Sequence, residues 1–284
     1  MIDKCKILGV KQRSTIPIKI LELEHLPGLE SFVEAELKVY GVQNVQQRNQ
    51  ETLRFAYTGD VKKLFSLRRA VALYSVLEFS IPRPKALLGD EHLRRLVQVS
   101  LRLTPRPLSA RNWRVCNLEG GLNATLAVIM NDLAEVKLTD CYLNAMCGSG
   151  TLLIEMGKAA KLVGVDISKK ALACTEQNIK ASGVKGVDLL EADATQLPFA
   201  ENSFDAVTAD VPWGDAVGSH EGNAKLYPAF LQEMARVTTK DARLVILTHE
   251  LKLFEKVSTT SAWQIKAQHR VFHLRREAAG GEGR

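Results

Sequence analysis

The sequence lacks any long hydrophobic run. In its 284 residues no stretch approaches the roughly 20 apolar residues that a membrane-spanning helix requires. The first residues, MIDKCKILGVKQRST, are basic but have neither the apolar core nor the small-residue cleavage site of a signal peptide. These features predict a cytoplasmic protein with no membrane partner.

Cysteine is scarce, and its spacing does not fit the common metal sites. The five cysteines are scattered, with no C-x-x-C pair and no Cys/His cluster of zinc-finger spacing. We therefore expect reduced thiols and no metal.

The remaining composition is that of an ordinary globular protein, with 46% hydrophobic and 25% charged residues. Its length fits about two domains at ~150 residues each. A net charge of +6 suits a polyanionic partner without identifying one. We place the domain boundary between residues 1–110 and 111–284.

The first of these segments predicts a small α+β domain. Strand candidates lie at 18–24, 43–48, 53–57 and 72–81. One helix follows Pro27-Gly28, and Asp60 can cap a second. The order β-α-β-β-α-β is that of a ferredoxin-like fold.

A cluster of arginines follows, with no acidic residue between 94 and 114. The six are Arg94, Arg95, Arg102, Arg106, Arg111 and Arg114. They form either a solvated charged surface or a strip that contacts RNA phosphates. Trp113 lies among them, and we expect it to pack between the two domains rather than to stack on a base.

From residue 121 onward, strand patterns alternate with helical patterns. Helices are predicted at 122–134, 149–160, 168–183 and 224–238, and strands at 141–144, 161–166, 187–193, 204–210 and 243–249. This alternation predicts an α/β fold, a Rossmann-like doubly wound parallel sheet. Ligands of such sheets bind at the carboxyl ends of the strands.

The stretch NAMCGSGT, residues 144–151, is a glycine turn between a strand and a helix. Gly148 and Gly150 permit the tight dihedral angles with which a backbone can approach a ligand closely. Leu153 stands where a dinucleotide fingerprint has its third glycine, which argues against NAD. The lysine of a P-loop is also missing, because Thr151 and Leu152 follow Gly150.

Acidic residues end the next two strands. Asp166 can accept hydrogen bonds from both hydroxyls of a ribose, and Asp193 with the Ala194 backbone can face an adenine edge. Nothing in these segments is suited to a pyrophosphate. The set therefore favours S-adenosylmethionine over NAD as the cofactor.

The stretch DVPWG, residues 210–214, follows a further strand. Asp210 can accept a hydrogen bond from an exocyclic amine, and a backbone carbonyl beside Pro212 can take the second hydrogen. Two such acceptors favour the pyramidal, more nucleophilic nitrogen. Trp213 offers a face for base stacking, typically worth ~1–3 kcal/mol. Methyl transfer from a sulfonium needs no metal.

Together, NAMCGSGTLLIE and ADVPWGDAVG…LYPAFLQEMARV resemble the THUMP-associated RNA methyltransferases, over about residues 110–250. GGLNATLAVIM at 120–130 resembles the helix that precedes the family's first motif. The resemblance implies a methyltransferase acting on RNA, with guanine-N2 in tRNA as the expected target.

The resemblance also implies roles for individual residues. The methionine part of the cofactor would lie against Asn144, Met146, Cys147, Gly148, Ser149 and Gly150. Asp166 would bind the ribose, and Asp193 and Ala194 would contact the adenine. Ile167, directly after Asp166, is a further expected cofactor-binding residue. Asp210, Pro212 and Trp213 would grip the target base.

The sequence departs from the family pattern at several positions. Asn144 replaces an aspartate and Ala145 a proline, and residues 82–110 are too few for a full THUMP domain. Val211 stands where adenine-N6 methylases usually have a proline, which favours the guanine-N2 branch. The alternatives are an rRNA guanine-N2 or adenine-N6 methylase, a small-molecule or protein-amine methyltransferase, and a non-catalytic RNA-binding relative.

Overall fold

The chain forms two compact units in a computed structural model, one ending at Pro107 and the other beginning at Leu108. The structure describes residues 19–82, 94–157, 159, 161–214, 219–258, 263–268 and 271–276. Cys5 lies outside these residues. None of the described helices has both the length and the apolar character that crossing a membrane requires.

The first unit is an antiparallel sheet with one α-helix. Its elements are β1 (Lys19–Glu24), α1 (Glu30–Val39), β2 (Gln46–Asn49), β3 (Thr52–Tyr57), β4 (Ala72–Pro82) and β5 (Arg94–Arg102). The strand order is β2-β3-β1-β4-β5, and every neighbouring pair is antiparallel. The first four strands have the predicted ferredoxin-like order.

Two details of this unit differ from the sequence prediction. The second helix is a single 3-10 segment, Val61–Ser66, whose first turn Asp60 caps by accepting from the Lys62 N–H at 3.0 Å. Strand β5 adds to the sheet in the arginine-rich segment, for which we expected no strand. The signal was present, because Val99 and Leu101 alternate with Gln98 and Ser100 as in a strand.

The second unit is the predicted Rossmann-like α/β sheet. Its helices are α2 (Ala124–Leu133), α3 (Thr151–Met156), α4 (Lys169–Ser182), α5 (His220–Val237) and α6 (Leu251–Ser258). Its strands are β6 (Cys141–Ala145), β7 (Lys161–Asp166), β8 (Val187–Glu191), β9 (Phe204–Asp210), β10 (Thr238–Leu247), β11 (Trp263–Gln268) and β12 (Val271–Arg276).

The strand order of this sheet is β11-β12-β10-β9-β6-β7-β8. The five strands from β10 to β8 are parallel, and β12 and β11 continue the sheet in antiparallel pairing. From β6 the chain moves to β7 and β8 on one side, and then to β9 and β10 on the other. Strand β6 is therefore the topological switch point, where doubly wound sheets bind ligands.

Local sequence explains where the helices begin and end. Ser168 caps α4 by accepting from the Ala171 N–H at 3.3 Å, and Gly183 ends it at a φ of 75°. Helix α3 stops at Met156 instead of reaching residue 160, because Gly157 takes a φ of 72°. A left-handed glycine is a common helix terminator.

The thiols differ from the prediction. Cys116 and Cys174 are joined by a disulfide bond that ties the segment before α2 to α4. Among the described cysteines, Cys141 and Cys147 are free. The prediction of reduced thiols is therefore wrong for the bonded pair, whose partners are 58 residues apart and could not be matched from spacing.

A buried ion pair lies at the amino end of the parallel strands. Arg243 of β10 pairs with Asp140, directly before β6, and both side chains are nearly inaccessible. Asp140 also accepts a hydrogen bond from the Lys137 N–H at 2.9 Å. The pair spans β9 and joins strands that are not hydrogen-bonded to each other.

We expect Asp140→Asn to lower the free energy of unfolding by about 3 kcal/mol, because it leaves a buried guanidinium without its counter-charge. Adding Arg243→Met removes that charge and is expected to recover most of the loss. Chemical denaturation of the full chain measures both variants. A single variant as stable as the unmodified chain would contradict the assignment.

Candidate functional site

The register of the parallel strands brings three predicted site segments to one edge of the sheet. Ala145 of β6 pairs with Val165 of β7 and with Ala209 of β9. The next residue of each strand or turn is therefore Met146, Asp166 and Asp210, side by side. The glycine turn lies between the ribose candidate and the catalytic candidate.

The glycine turn has the tight backbone that its sequence predicts. Met146, Gly148 and Gly150 all have positive φ, at 56°, 56° and 80°. A Cβ added at Gly148 would meet nothing within 4 Å, whereas one at Gly150 would lie 2.7 Å from Thr175 Cγ2. Gly150 thus permits close packing against α4, and Gly148 leaves open space beside the turn.

The Cys147 side chain points away from that open space. It is buried among Tyr142, Leu153 and Leu162, and its sulfur lies 3.9 Å from Thr175 Oγ1. Burial raises the pKa of the thiol to about 12, so a thiolate nucleophile is disfavoured. Only the backbone of Cys147 is available to a ligand at the turn.

Two polar residues of α4 brace the turn, and sequence reasoning missed both. Thr175 donates a hydrogen bond to the Gly148 carbonyl at 2.7 Å. Asn178 donates to the Ser149 carbonyl at 2.9 Å and accepts from the Cys116 N–H at 2.9 Å. Both side chains are fully buried. Their i, i+3 spacing on the buried face of a helix was the available signal.

The arginines nearest the site are used inside the fold. Arg111 pairs with the buried Glu155 at 2.8 Å, and Trp113 Nε1 donates to the same carboxylate at 3.2 Å. Arg114 donates to the Leu122 carbonyl at 2.7 Å and to the Thr151 hydroxyl at 2.9 Å.

Neither a solvated surface nor a phosphate-contacting strip therefore describes Arg111 and Arg114. Trp113 is half-buried, and its bond to Glu155 lies within the second unit. Arg102 donates to the carbonyls of Thr104 and Pro105 at 3.0 Å each. Arg106 is exposed. The side chains of Arg94 and Arg95 lie outside the part of the chain that the structure describes.

Asp166, the last residue of β7, is hydrogen-bonded to the backbone of the glycine turn. Its two carboxylate oxygens accept from the Gly148 N–H at 2.8 Å and from the Ser168 N–H at 2.9 Å. Each oxygen retains capacity for a further hydrogen bond. Ile167, directly after it, is 70% exposed, a large apolar side chain in contact with solvent.

Asp193 and Ala194 follow β8 farther along the same edge. One oxygen of Asp193 accepts from the backbone and the hydroxyl of Thr195, at 2.8 and 2.7 Å. The Asp193 side chain is exposed, and Ala194 is buried. The loop is thus pre-shaped by its own hydrogen bonds.

Asn144 is fully buried within the sheet. Its amide nitrogen donates to the Thr208 carbonyl at 3.0 Å across to β9. Its side-chain oxygen is inaccessible and has no hydrogen-bond partner among the described residues. A buried carbonyl oxygen left in this way costs stability unless a bound group donates to it.

Asp210 carries a second unpartnered oxygen. Its Oδ1 is inaccessible and, within the described ranges, lacks a hydrogen-bond partner. Burial raises the pKa of this carboxyl to about 7, and the nearby Trp213 indole opposes that shift only in part. A carboxyl near neutrality in a strand-end cleft is a candidate for function. The buried Nε1 of Trp213 lies near this carboxyl without a hydrogen bond of normal geometry to any described residue.

The loop after Asp210 is held from α5, by residues that sequence reasoning did not assign. The Pro212 carbonyl accepts from Tyr227 Oη at 2.7 Å and from Asn223 Nδ2 at 3.0 Å. Tyr227 Oη also lies 2.9 Å from the Thr248 hydroxyl. These two bonds use both lone pairs of the Pro212 carbonyl, so it is not available to a substrate amine.

The Trp213 indole is in contact on two sides. It packs against the apolar cluster formed by Leu122, Met130, Leu152 and their neighbours. It also stacks on His249, with ring centroids 3.6 Å apart and planes inclined by 11°.

No set of three or more His, Cys, Asp or Glu residues in the described ranges could hold a metal ion.

Comparison with solved structures supports the fold. The crystal structure of TrmN from Thermus thermophilus aligns with a TM-score of 0.75 and 21% identity, over 92% of this chain and all of that one. SMU.472, a putative methyltransferase complexed with SAH, aligns with a TM-score of 0.68 and 13% identity, over 91% of this chain and 97% of that one.

Curated relatives are similar over parts of their length. A tRNA (guanine(6)-N2)-methyltransferase of Thermus thermophilus is 29% identical over 249 residues, which are 85% of this chain and 68% of the relative. The U6 snRNA (guanine-N(2))-methyltransferase THUMPD2 of Homo sapiens is 34% identical over 134 residues, 46% of this chain and 26% of the relative.

A tRNA (guanine(6)-N2)-methyltransferase of Methanocaldococcus jannaschii is 25% identical over 58% of this chain and 54% of the relative. The chain thus spans about a quarter of THUMPD2 and about half of this archaeal relative. Residues 111–161 and 156–277 match the sequence model of a methyltransferase-domain family described as RMKL-like. This match covers more than half of the chain, including the glycine turn and the Asp210 loop. The chain belongs to the RMKL-like methyltransferase-domain family.

Proposed function

We propose that the protein is an S-adenosylmethionine-dependent methyltransferase that modifies the exocyclic N2 amine of a guanosine in RNA, with tRNA as the substrate. The observation that carries this proposal is the register that aligns Met146, Asp166 and Asp210 at the switch point of the sheet. The turn expected to bind the methyl donor and the carboxyl expected to accept the target amine therefore lie next to each other.

The residues present fit the cofactor. Open space lies beside Gly148, and Asp166 keeps lone pairs for ribose hydroxyls. The unpartnered Asn144 oxygen suits a donor on the amino-acid end. The backbone of residues 146–150 would hold the methionine part, and Asp193 and Ala194 would border the adenine. When bound, the cofactor supplies an electrophilic methyl group.

The Asp210 loop would present the target amine. The Asp210 carboxyl would accept one amine hydrogen at Oδ1, to which no described residue makes a hydrogen bond of normal geometry. The second acceptor is a backbone carbonyl other than that of Pro212, and Val211 supplies it. An ionised Asp210 also stabilises the positive charge that develops on the nitrogen. Correct positioning of the amine contributes much of the rate.

Guanine-N2 is favoured by the relatives, whose names assign that reaction on tRNA or U6 snRNA. The tRNA relative matches 85% of this chain, whereas the U6 snRNA relative matches 46%. Val211 in the catalytic loop is the residue that argues against adenine-N6 as the target.

Nucleoside analysis tests the proposal directly. Purified protein and S-adenosylmethionine are incubated separately with tRNA, U6 snRNA and rRNA, and the digested nucleosides are identified by mass spectrometry. We expect N2-methylguanosine from tRNA. Product from U6 snRNA or rRNA alone would correct the substrate, N6-methyladenosine would correct the target atom, and no product with bound cofactor would favour a non-catalytic relative.

The pKa of Asp210 predicts a pH dependence. Because burial raises this pKa to about 7, the carboxyl is mostly protonated below that pH and accepts an amine hydrogen poorly. We expect kcat/KM for S-adenosylmethionine to rise with pH and to level off above about 7, since this parameter reports the free enzyme.

Asp210→Ala should remove that inflection and lower kcat by about 100-fold, the typical loss of one preorganised electrostatic contact. Asp188→Ala, a change at an exposed carboxylate of β8, is the matched control and should leave the profile unchanged. An Asp210→Ala variant with normal kcat and an unaltered pH profile would remove Asp210 from the catalytic assignment.

Tyr227→Phe tests the support of the loop. It removes one donor to the Pro212 carbonyl, so we expect a lower kcat, by about tenfold, with little change in KM for the cofactor. Stability should fall by about 1 kcal/mol. Tyr142→Phe removes a buried tyrosine hydroxyl elsewhere in the sheet, and it should lower stability without lowering kcat. Equal kcat values for the two variants would argue against a positioning role.

A further inference from the structure

The stacked contact between Trp213 and His249 is not used in the function proposed above, although the sequence predicts Trp213 as a stacking face for the target base. Trp213 lies three positions after the end of β9, and His249 two positions after the end of the neighbouring β10. The Val211 N–H donates to the Leu247 carbonyl at 3.2 Å, which holds the two loops side by side. The pair therefore belongs to the same strand-end edge as Asp210.

The two rings form ordered layers. Trp213 is half-buried and packs against the apolar cluster of α2 and α3, whereas His249 is exposed. The exposed imidazole stacks on one face of the indole and covers that face.

The geometry of this contact is that of a nucleobase on an aromatic side chain. The centroid separation is 3.6 Å and the planes are inclined by 11°. A flat heteroaromatic ring that enters from solvent to stack on Trp213 would need the position that the imidazole occupies. Base stacking on an exposed aromatic face is a common means of holding an unpaired nucleotide.

We propose that His249 is a placeholder for the target base: it covers the receiving face of Trp213 and moves aside when the base enters. This inference rests on the proposed function. In the absence of RNA the imidazole keeps the apolar indole face from water and the ring in its binding orientation.

Moving the imidazole off the indole costs free energy when the base binds. Removing the imidazole should therefore raise the affinity for RNA. The probe is a short oligouridine RNA that carries one guanosine, with S-adenosylhomocysteine present, and binding to the full chain is followed by fluorescence anisotropy. His249→Ala is expected to bind this RNA about three- to tenfold more tightly, the size of one aromatic pair. His249→Phe keeps a flat ring on the indole and should bind no more tightly than the unmodified protein.

Trp213→Ala is expected to weaken binding of the same probe, and adding His249→Ala to it should bring no gain, because the face that His249 covers is gone. Thermal unfolding of each variant confirms that the fold is retained. If His249→Ala binds the RNA equally or more weakly while Trp213→Ala weakens binding, the placeholder is refuted and the base site stands. If Trp213→Ala binds normally, the prediction that the target base stacks on Trp213 fails, and the proposed methyl transfer is judged separately by the nucleoside analysis.

Discussion

Hydrogen bonding between the parallel strands β6, β7 and β9 is the constraint on which the candidate site depends. The pairing of Ala145 with Val165 and Ala209 puts the glycine turn, Asp166 and Asp210 in one row. A slip of one residue would turn every side chain of the shifted strand to the opposite face and break this row. Because consecutive residues of β6 and β9 are buried on both faces, such a slip would also disrupt the packing on each side of the sheet.

The same edge carries the unpartnered buried polar atoms of Asn144, Asp210 and Trp213. Each such atom lowers the stability of the folded chain, because water has been removed without a replacement hydrogen bond. Elsewhere in the unit, Asn178 and Tyr227 each bridge two segments through satisfied hydrogen bonds, whereas Arg243 Nε at the opposite end of the strands also lacks a partner among the described residues. At the site edge, the Asn144 and Asp210 oxygens can accept from a bound molecule, and Trp213 Nε1 can donate to one.

Much of the fold could be predicted from the sequence, because hydrophobic periodicity and capping residues act locally. Ser168 and Gly183 bound α4 as predicted, and the ferredoxin-like order of the first four strands follows from their sequence. Strand β5 was not predicted, because its arginines were interpreted as part of a charged surface or a phosphate-contacting strip. The disulfide between Cys116 and Cys174 was missed because chain distance carries no information on spatial contact.

The sequence by itself determined the succession of elements, the glycine turn and the acidic residues at the strand ends, because each depends on neighbours within a few positions. Only the tertiary structure decided which partner each polar group has. Arg111 could have met a phosphate but meets Glu155, the Pro212 carbonyl is taken by Tyr227, and Trp213 is covered by His249. These contacts join residues distant in the chain, and only the packed sheet and its helices bring them together.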